Sequence, residues 1–244
     1  MPAKNVFPLT VRLAGLKLRR SRFTMSVAAG LPVLLVYFGL RESPSTAMKF
    51  FLLFFPYLFL LAAQDLAGTE LRGGGLENVL FLGGDFRRYL WLKNPALAAA
   101  AGAYAAGLFL PLAAWTAAGG EFEAFFLAQF GLGLLAGLYY VGLAGALSYF
   151  LKAGSNVVVI LLVQAAAIVS LLLSATSRAG FIEHLGDGRF PDLGSRLALL
   201  GLASLFPNLI VSRRLLAGAL AVGAGLVAAL TVQKALVRRL ELHK

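Results

Sequence analysis

Apolar runs of roughly bilayer length alternate along the chain with short polar or basic segments, and the alternation predicts a series of membrane-crossing helices. About 20 residues of helix cover a hydrocarbon core. Residues 23–40, 47–63, 95–118, 125–150, 157–175 and 215–232 come near that length. Pro44 marks the turn between the first two runs, and Pro56 is expected to bend the second, because proline removes a backbone donor that lipid does not replace. Pro95 is expected to open the third helix at the first helical position, where proline is tolerated. Residues 119–123 read as a tight acidic turn and 152–156 as another short turn. Residues 197–211 are apolar but too few for a span. With Pro207 and Asn208 among them, they are expected to form one or two short helices dipping into the outer leaflet, part of a long outer connection over 176–214.

Before the first span, residues 1–22 carry Lys4, Arg12, Lys17, Arg19, Arg20 and Arg22 with no acid. A helix there lines up Val6, Leu9, Leu13 and Leu16, which reads as a basic interfacial helix. A cleaved signal peptide also pairs a basic start with an apolar run, but 23–40 is longer than a usual signal core and more spans follow, so it is read as a retained first span.

One polar island interrupts the first two thirds of the chain. Residues 68–93 read GTELRGGGLENVLFLGGDFRRYLWLK. As a helix, this stretch puts Leu76, Val79 and Leu80 on one face. Phe86 and Leu90 continue that face past a Gly83–Gly84 break, while Glu77, Asn78 and Arg88 point elsewhere. The pattern predicts a short amphipathic helix, a glycine joint and a second short helix. Such a piece can fill the groove of a soluble partner or lie at the membrane interface.

Composition changes the picture in two ways. A chain that is 59% hydrophobic and 14% charged, with a mean hydropathy of +0.82, is an integral membrane protein and not a water-soluble globule. A net charge of +11 in a soluble domain would suggest nucleic acid. Here the basic residues flank the apolar runs, so they are assigned to orientation, and no nucleic-acid partner is expected. With six spans and an inner N-terminus, 15 of the 22 basic residues fall inside, among them Arg72, Arg87, Arg88, Lys93, Lys152, Lys234, Arg238, Arg239 and Lys244. Counting 197–211 as a seventh span makes the balance poorer. Both termini are therefore expected on the cytoplasmic side. There is no cysteine, so disulfides and thiolate metal sites are excluded.

Candidate chemistry within the chain is sparse. A serine protease dyad in the membrane would use Ser148, yet His184 and His243 both lie outside the predicted spans. His184 with Glu183 and Asp187 reads as a solvated turn, since no second histidine is near, and no metal site is expected. Lys152 and Arg178 read as span-edge charges. The spans are nearly empty of ionisable residues, which argues against a proton-coupled carrier. Gly133 and Gly137 form a small-xxx-small pair that fits either a contact between subunits or packing within one chain.

The island and the layout together resemble the membrane-spanning (permease) subunits of type-2 ABC exporters, the ABC-2 family. The resemblance rests on Glu70, Gly75, Leu76, Glu77, Val79 and Leu80, the Gly83–Gly84–Asp85 break, then Phe86, Arg87, Arg88 and Lys93 at the start of the third span. The break departs from the family pattern, which often has proline there, and the glycines at 73–75 are looser than usual. The resemblance implies an all-α integral membrane fold of six transmembrane helices. It adds the N-terminal interfacial helix, a cytoplasmic coupling helix between spans two and three, and a re-entrant outer segment before span six. It also implies a pair of membrane subunits, identical or related, above two separate ATPase subunits that hold ATP and Mg. This chain has no GxxxxGK[ST] phosphate loop, so it is not expected to be an enzyme and no cofactor is expected in it. The implied setting is the cytoplasmic membrane of a prokaryote. Spans rich in Phe, Leu and small residues suit an amphipathic or lipid-like cargo, with haem export conceivable within the class. A membrane scaffold or anchor that moves nothing is the alternative.

Overall fold

A computed structural model describes residues 22–64, 86–152, 154–165 and 215–239. All regular structure among them is helical: α1 (Arg22–Arg41), α2 (Pro44–Phe54), α3 (Pro56–Ala62), α4 (Phe86–Ala118), α5 (Phe125–Leu147), α6 (Ser155–Ala165) and α7 (Leu215–Arg239). Among the described residues, four stretches are long and apolar enough to cross a membrane: Arg22–Arg41, Pro44–Ala62, Arg88–Ala118 and Phe125–Leu147. The chain is thus an all-helical, multi-pass membrane protein. Large apolar side chains such as Val33, Leu40, Leu110 and Leu220 stay exposed on the outside of the bundle, where lipid is their natural neighbour.

Local chemistry sets the helix boundaries. Ser43 caps α2: its backbone is extended, its Oγ accepts from the Thr46 amide at 3.1 Å, and Pro44 occupies the first turn, where its missing N–H costs nothing. Pro56 divides α2 from α3 as expected. Helical bonding resumes with Leu58 donating to the Phe55 carbonyl at 2.9 Å. The third predicted boundary is corrected. Pro95 does not open a helix but lies inside the 33-residue α4, which starts at Phe86, so the end of the polar island and the third span are one continuous helix. The fourth span closes earlier than 150, at Leu147. α7 is helical over 25 residues and runs past the predicted end at 232 into the basic Arg238 and Arg239.

Contacts between helices give their directions. Trp115 covers Gly39 and the Tyr104 hydroxyl donates to the Ala28 carbonyl, so α1 and α4 are parallel. Gly133 and Gly137 of α5 face Phe55 and Phe59 in that order, making α5 parallel to the α2–α3 pair. Gly225 meets Tyr139 and Ala229 meets Gly142, which makes α5 and α7 parallel too. The core lies where α2, α4 and α5 converge. Phe109 stacks on Phe130 with ring centroids 4.2 Å apart, and Phe55 lies 5.1 Å from Phe130 and from Phe51. Lipid is as apolar as these rings, so their close packing, and not escape from water, holds the helices together.

At one end, Gly120 takes φ +70°, the left-handed value glycine adopts without strain, and lets Glu121 N–H close onto the Thr116 carbonyl at 2.9 Å. The Glu121 carboxylate then accepts from the Ser45 amide at 2.9 Å, tying the α4–α5 turn to the start of α2.

Candidate functional site, a polar collar where the island meets the bundle

At the other end of the bundle, helix termini from across the sequence meet through polar side chains. Asn94, near the start of α4, donates from Nδ2 to Gln233 Oε1 at 2.8 Å, and Gln233 Nε2 donates back to Asn94 Oδ1 at 3.4 Å. Both residues are buried. A reciprocal amide pair of this kind satisfies a donor and an acceptor on each side, as a low-dielectric setting requires. Gly145 of α5 makes the room, because a Cβ there would sit 2.8 Å from Gln233 Nε2. Lys93, next in the chain to Asn94, is also buried, with only 1% of its surface exposed.

The collar continues around the bundle. Ser148, just past α5, donates from its hydroxyl to the Gly145 carbonyl at 2.7 Å, so its oxygen serves the helix end. Asn156, at the start of α6, reaches the Ala144 carbonyl at 3.1 Å and the Ala63 carbonyl at 3.4 Å. Gly154, with φ +82°, donates its N–H to the Gln64 carbonyl at 3.1 Å. Gln64 in turn donates to Thr24 Oγ1 of α1 at 2.9 Å. Helix ends leave carbonyls and amides unpaired, and these amide and hydroxyl side chains complete them.

The predicted site residues fall into three groups. Glu70, Gly75, Leu76, Glu77, Val79, Leu80 and Asp85 lie outside the described residues, as do His184, Glu183, Asp187 and His243. Phe86, Arg87 and Arg88 form the start of α4, and Arg88 is exposed. Leu90, expected to continue the apolar face of Leu76, Val79 and Leu80, is buried inside the chain with Tyr89, each 2% exposed. The continuous α4 forces this, since a helix that becomes a span must turn one side toward its neighbours from the first turns onward. Gly133 and Gly137 are buried under Phe55 and Phe59 of the same chain. Among the described residues, no three or more His, Asp or Glu side chains gather in a way that would hold a metal ion.

Asn94, Gln233, Asn156 and Gln64 were not singled out by sequence pattern. Their signal is positional: each is an uncharged polar residue at an end of an apolar run, where a helix terminus must be completed. Removing one member of the amide pair tests its weight. Gln233→Leu should lower stability by about 1–3 kcal/mol, since it strands the Asn94 amide, and the double variant with Asn94→Leu should recover most of that loss. Thermal unfolding of the two single variants and the double in detergent, treated as a cycle, checks this.

No family model matches the chain, and no curated protein matches it. The fold and the collar define an all-helical, multi-pass membrane protein in which one polar segment of sequence runs directly into a packed span.

Proposed function

We propose that the chain is the permease subunit of an ATP-driven ABC-2 exporter, which moves an amphipathic or lipid-like cargo outward while a separate ATPase subunit hydrolyses ATP. The observation that carries the reading is the continuity of α4. The segment resembling a coupling element ends in the same helix that crosses the bundle. Through Asn94 and Gln233 that helix is tied to α7, and Gln233 packs in turn on Gly145 of α5. A pull on Leu76, Val79 and Leu80 by a closing ATPase pair would pass across the Gly83–Gly84 break into α4 and from there to two further helices.

Helix directions favour six crossings as well. α5 and α7 are parallel neighbours, which supports a return crossing between them. α6 leaves the collar end and begins that return. The collar end is then cytoplasmic, with the basic residues before α1, around Arg88 and at the end of α7 on that side, as positive charge requires.

Docking chemistry gives the test. In a groove, Leu80 is an apolar anchor and Glu77 a rim charge. The pair Glu77→Ala with Leu80→Ala should therefore cut the membrane subunit's stimulation of ATP hydrolysis about tenfold while membrane insertion is unchanged. Stimulation at the wild-type level in that variant sinks the proposal and favours a scaffold that moves nothing.

A further inference from the structure

Between α1, the α2–α3 pair and α6 lies a cavity of about 740 Å³. Its wall is built from Phe23, Leu34, Phe54, Leu58 and Leu161 together with other apolar residues, and among the described residues no Asp, Glu, Lys, Arg or His lines it. Polar groups enter at a few points only. Gln164 of α6 is 3% exposed and accepts from the Tyr57 hydroxyl at 3.1 Å, while its Nε2 donates to the Tyr140 hydroxyl at 2.8 Å. Tyr57 and Tyr140 stack with centroids 5.5 Å apart, which fixes the rim of this polar corner. Ser26 of α1 also lines the cavity.

Size and lining are those of a small-molecule site: a mostly apolar, aromatic-rich cavity of about 300–1,000 Å³ with a few placed polar groups. The uncharged lining that the described residues provide sets the class of occupant. In so apolar a wall a carboxylate, phosphate or ammonium would be stranded without a counter-ion, at a cost far above what contacts with the rings return. A long apolar body fits the Phe and Leu wall, and an uncharged hydroxyl or ester head fits the corner of Tyr57 and Gln164. The geometry points to a binding site for one neutral, single-chain amphipath, its tail along α1 and its head at Tyr57 and Gln164. The site deepens the export reading by naming a cargo class, and it rests on that reading only for the claim that the occupant is moved.

Gly30 provides the test, because it lines the cavity and a Cβ there meets nothing within 4 Å. Gly30→Phe therefore fills the space without pressing on the packed helices. The purified full-length protein in nanodiscs is labelled with a photoreactive monoacylglycerol, with a fatty acid carrying the same photoreactive tail as comparison, and the labelled residues are mapped by mass spectrometry. The expected result is monoacylglycerol labelling at Phe54, Leu58 and Leu161, at least about tenfold weaker with the fatty acid and about tenfold weaker in Gly30→Phe. Gln164→Leu, which removes the acceptor that orients the Tyr57 hydroxyl at the head position, should weaken labelling up to about tenfold. Equal labelling by the fatty acid overturns the neutral class. Labelling spread over lipid-facing positions such as Val33 and Leu220, and unchanged in Gly30→Phe, overturns the site altogether. Cavity labelling in a preparation that holds no ATPase would support the site while removing the export reading, so the two failures are distinct.

Discussion

Replacing Gly137 with leucine is expected to cost the protein about 3 kcal/mol or more and to lower its unfolding midpoint in detergent by roughly 6–12 °C. The reason is geometric. A Cβ built on Gly137 falls within 2.5 Å of Cγ and Cδ2 of Phe59, atoms near the root of the ring that cannot swing away as a chain end would. Phe59 is itself 2% exposed and belongs to the aromatic core. Four residues earlier, Gly133 receives the ring of Phe55 in the same way. In lipid, small residues admit a neighbour closely, and that contact supplies the stability that hydrophobic burial supplies in water. Gly131 is the internal control. It lies on α5, is exposed, and a Cβ there meets nothing within 4 Å. Gly131→Leu should therefore change stability by about 0.5 kcal/mol at most. Fluorescence-detected size exclusion after a heat ramp separates the outcomes, and similar midpoints for the two variants would remove the packing role assigned to Gly137.

The same pair of glycines bears on assembly. A small-xxx-small pair leaves open whether the neighbour is another subunit or another part of the chain, because both use the same close approach. The fold fills this face with Phe55 and Phe59. Sequence spacing holds the signal for a close contact but not the identity of what makes it.

The helices themselves were largely legible. Residues 23–40 match Arg22–Arg41 to within a residue, and 47–63 match the ends of the broken pair Pro44–Phe54 and Pro56–Ala62 to within three, because length, hydropathy and proline placement are local properties. Pro95 misled because proline suits both the first turn of a helix and, inside a bundle, an interior position whose freed carbonyl neighbours can satisfy. Hydropathy also falls from Arg87 to Asn94, so the pattern placed a boundary where the backbone has none. The collar was hidden for a different reason. Asn94 and Gln233 are 139 residues apart, and nothing local to either says that they pair. Gln164 carried a fainter sign, a lone amide inside the fifth apolar run, the kind of residue that bonds across helices in lipid.

A more demanding expectation concerns the island. Read as a helix, the spacing of Leu76, Val79 and Leu80 puts them on one face, and an interface anchored by such residues tolerates neither their loss nor a charge in their place. Changing all three to Asp would place three unpaired carboxylates in a groove built for apolar side chains, at a cost of several kcal/mol, enough to abolish docking. Insertion should survive, because these residues lie in the polar island and outside the apolar runs of the sequence. The measurement that bears most directly on the permease reading is gentle purification of the tagged chain from its native membrane, with identification of what accompanies it. The account predicts a nucleotide-binding ATPase subunit with the wild-type protein and its loss from the triple Asp variant at unchanged membrane levels. A wild-type preparation without any such ATPase would contradict it.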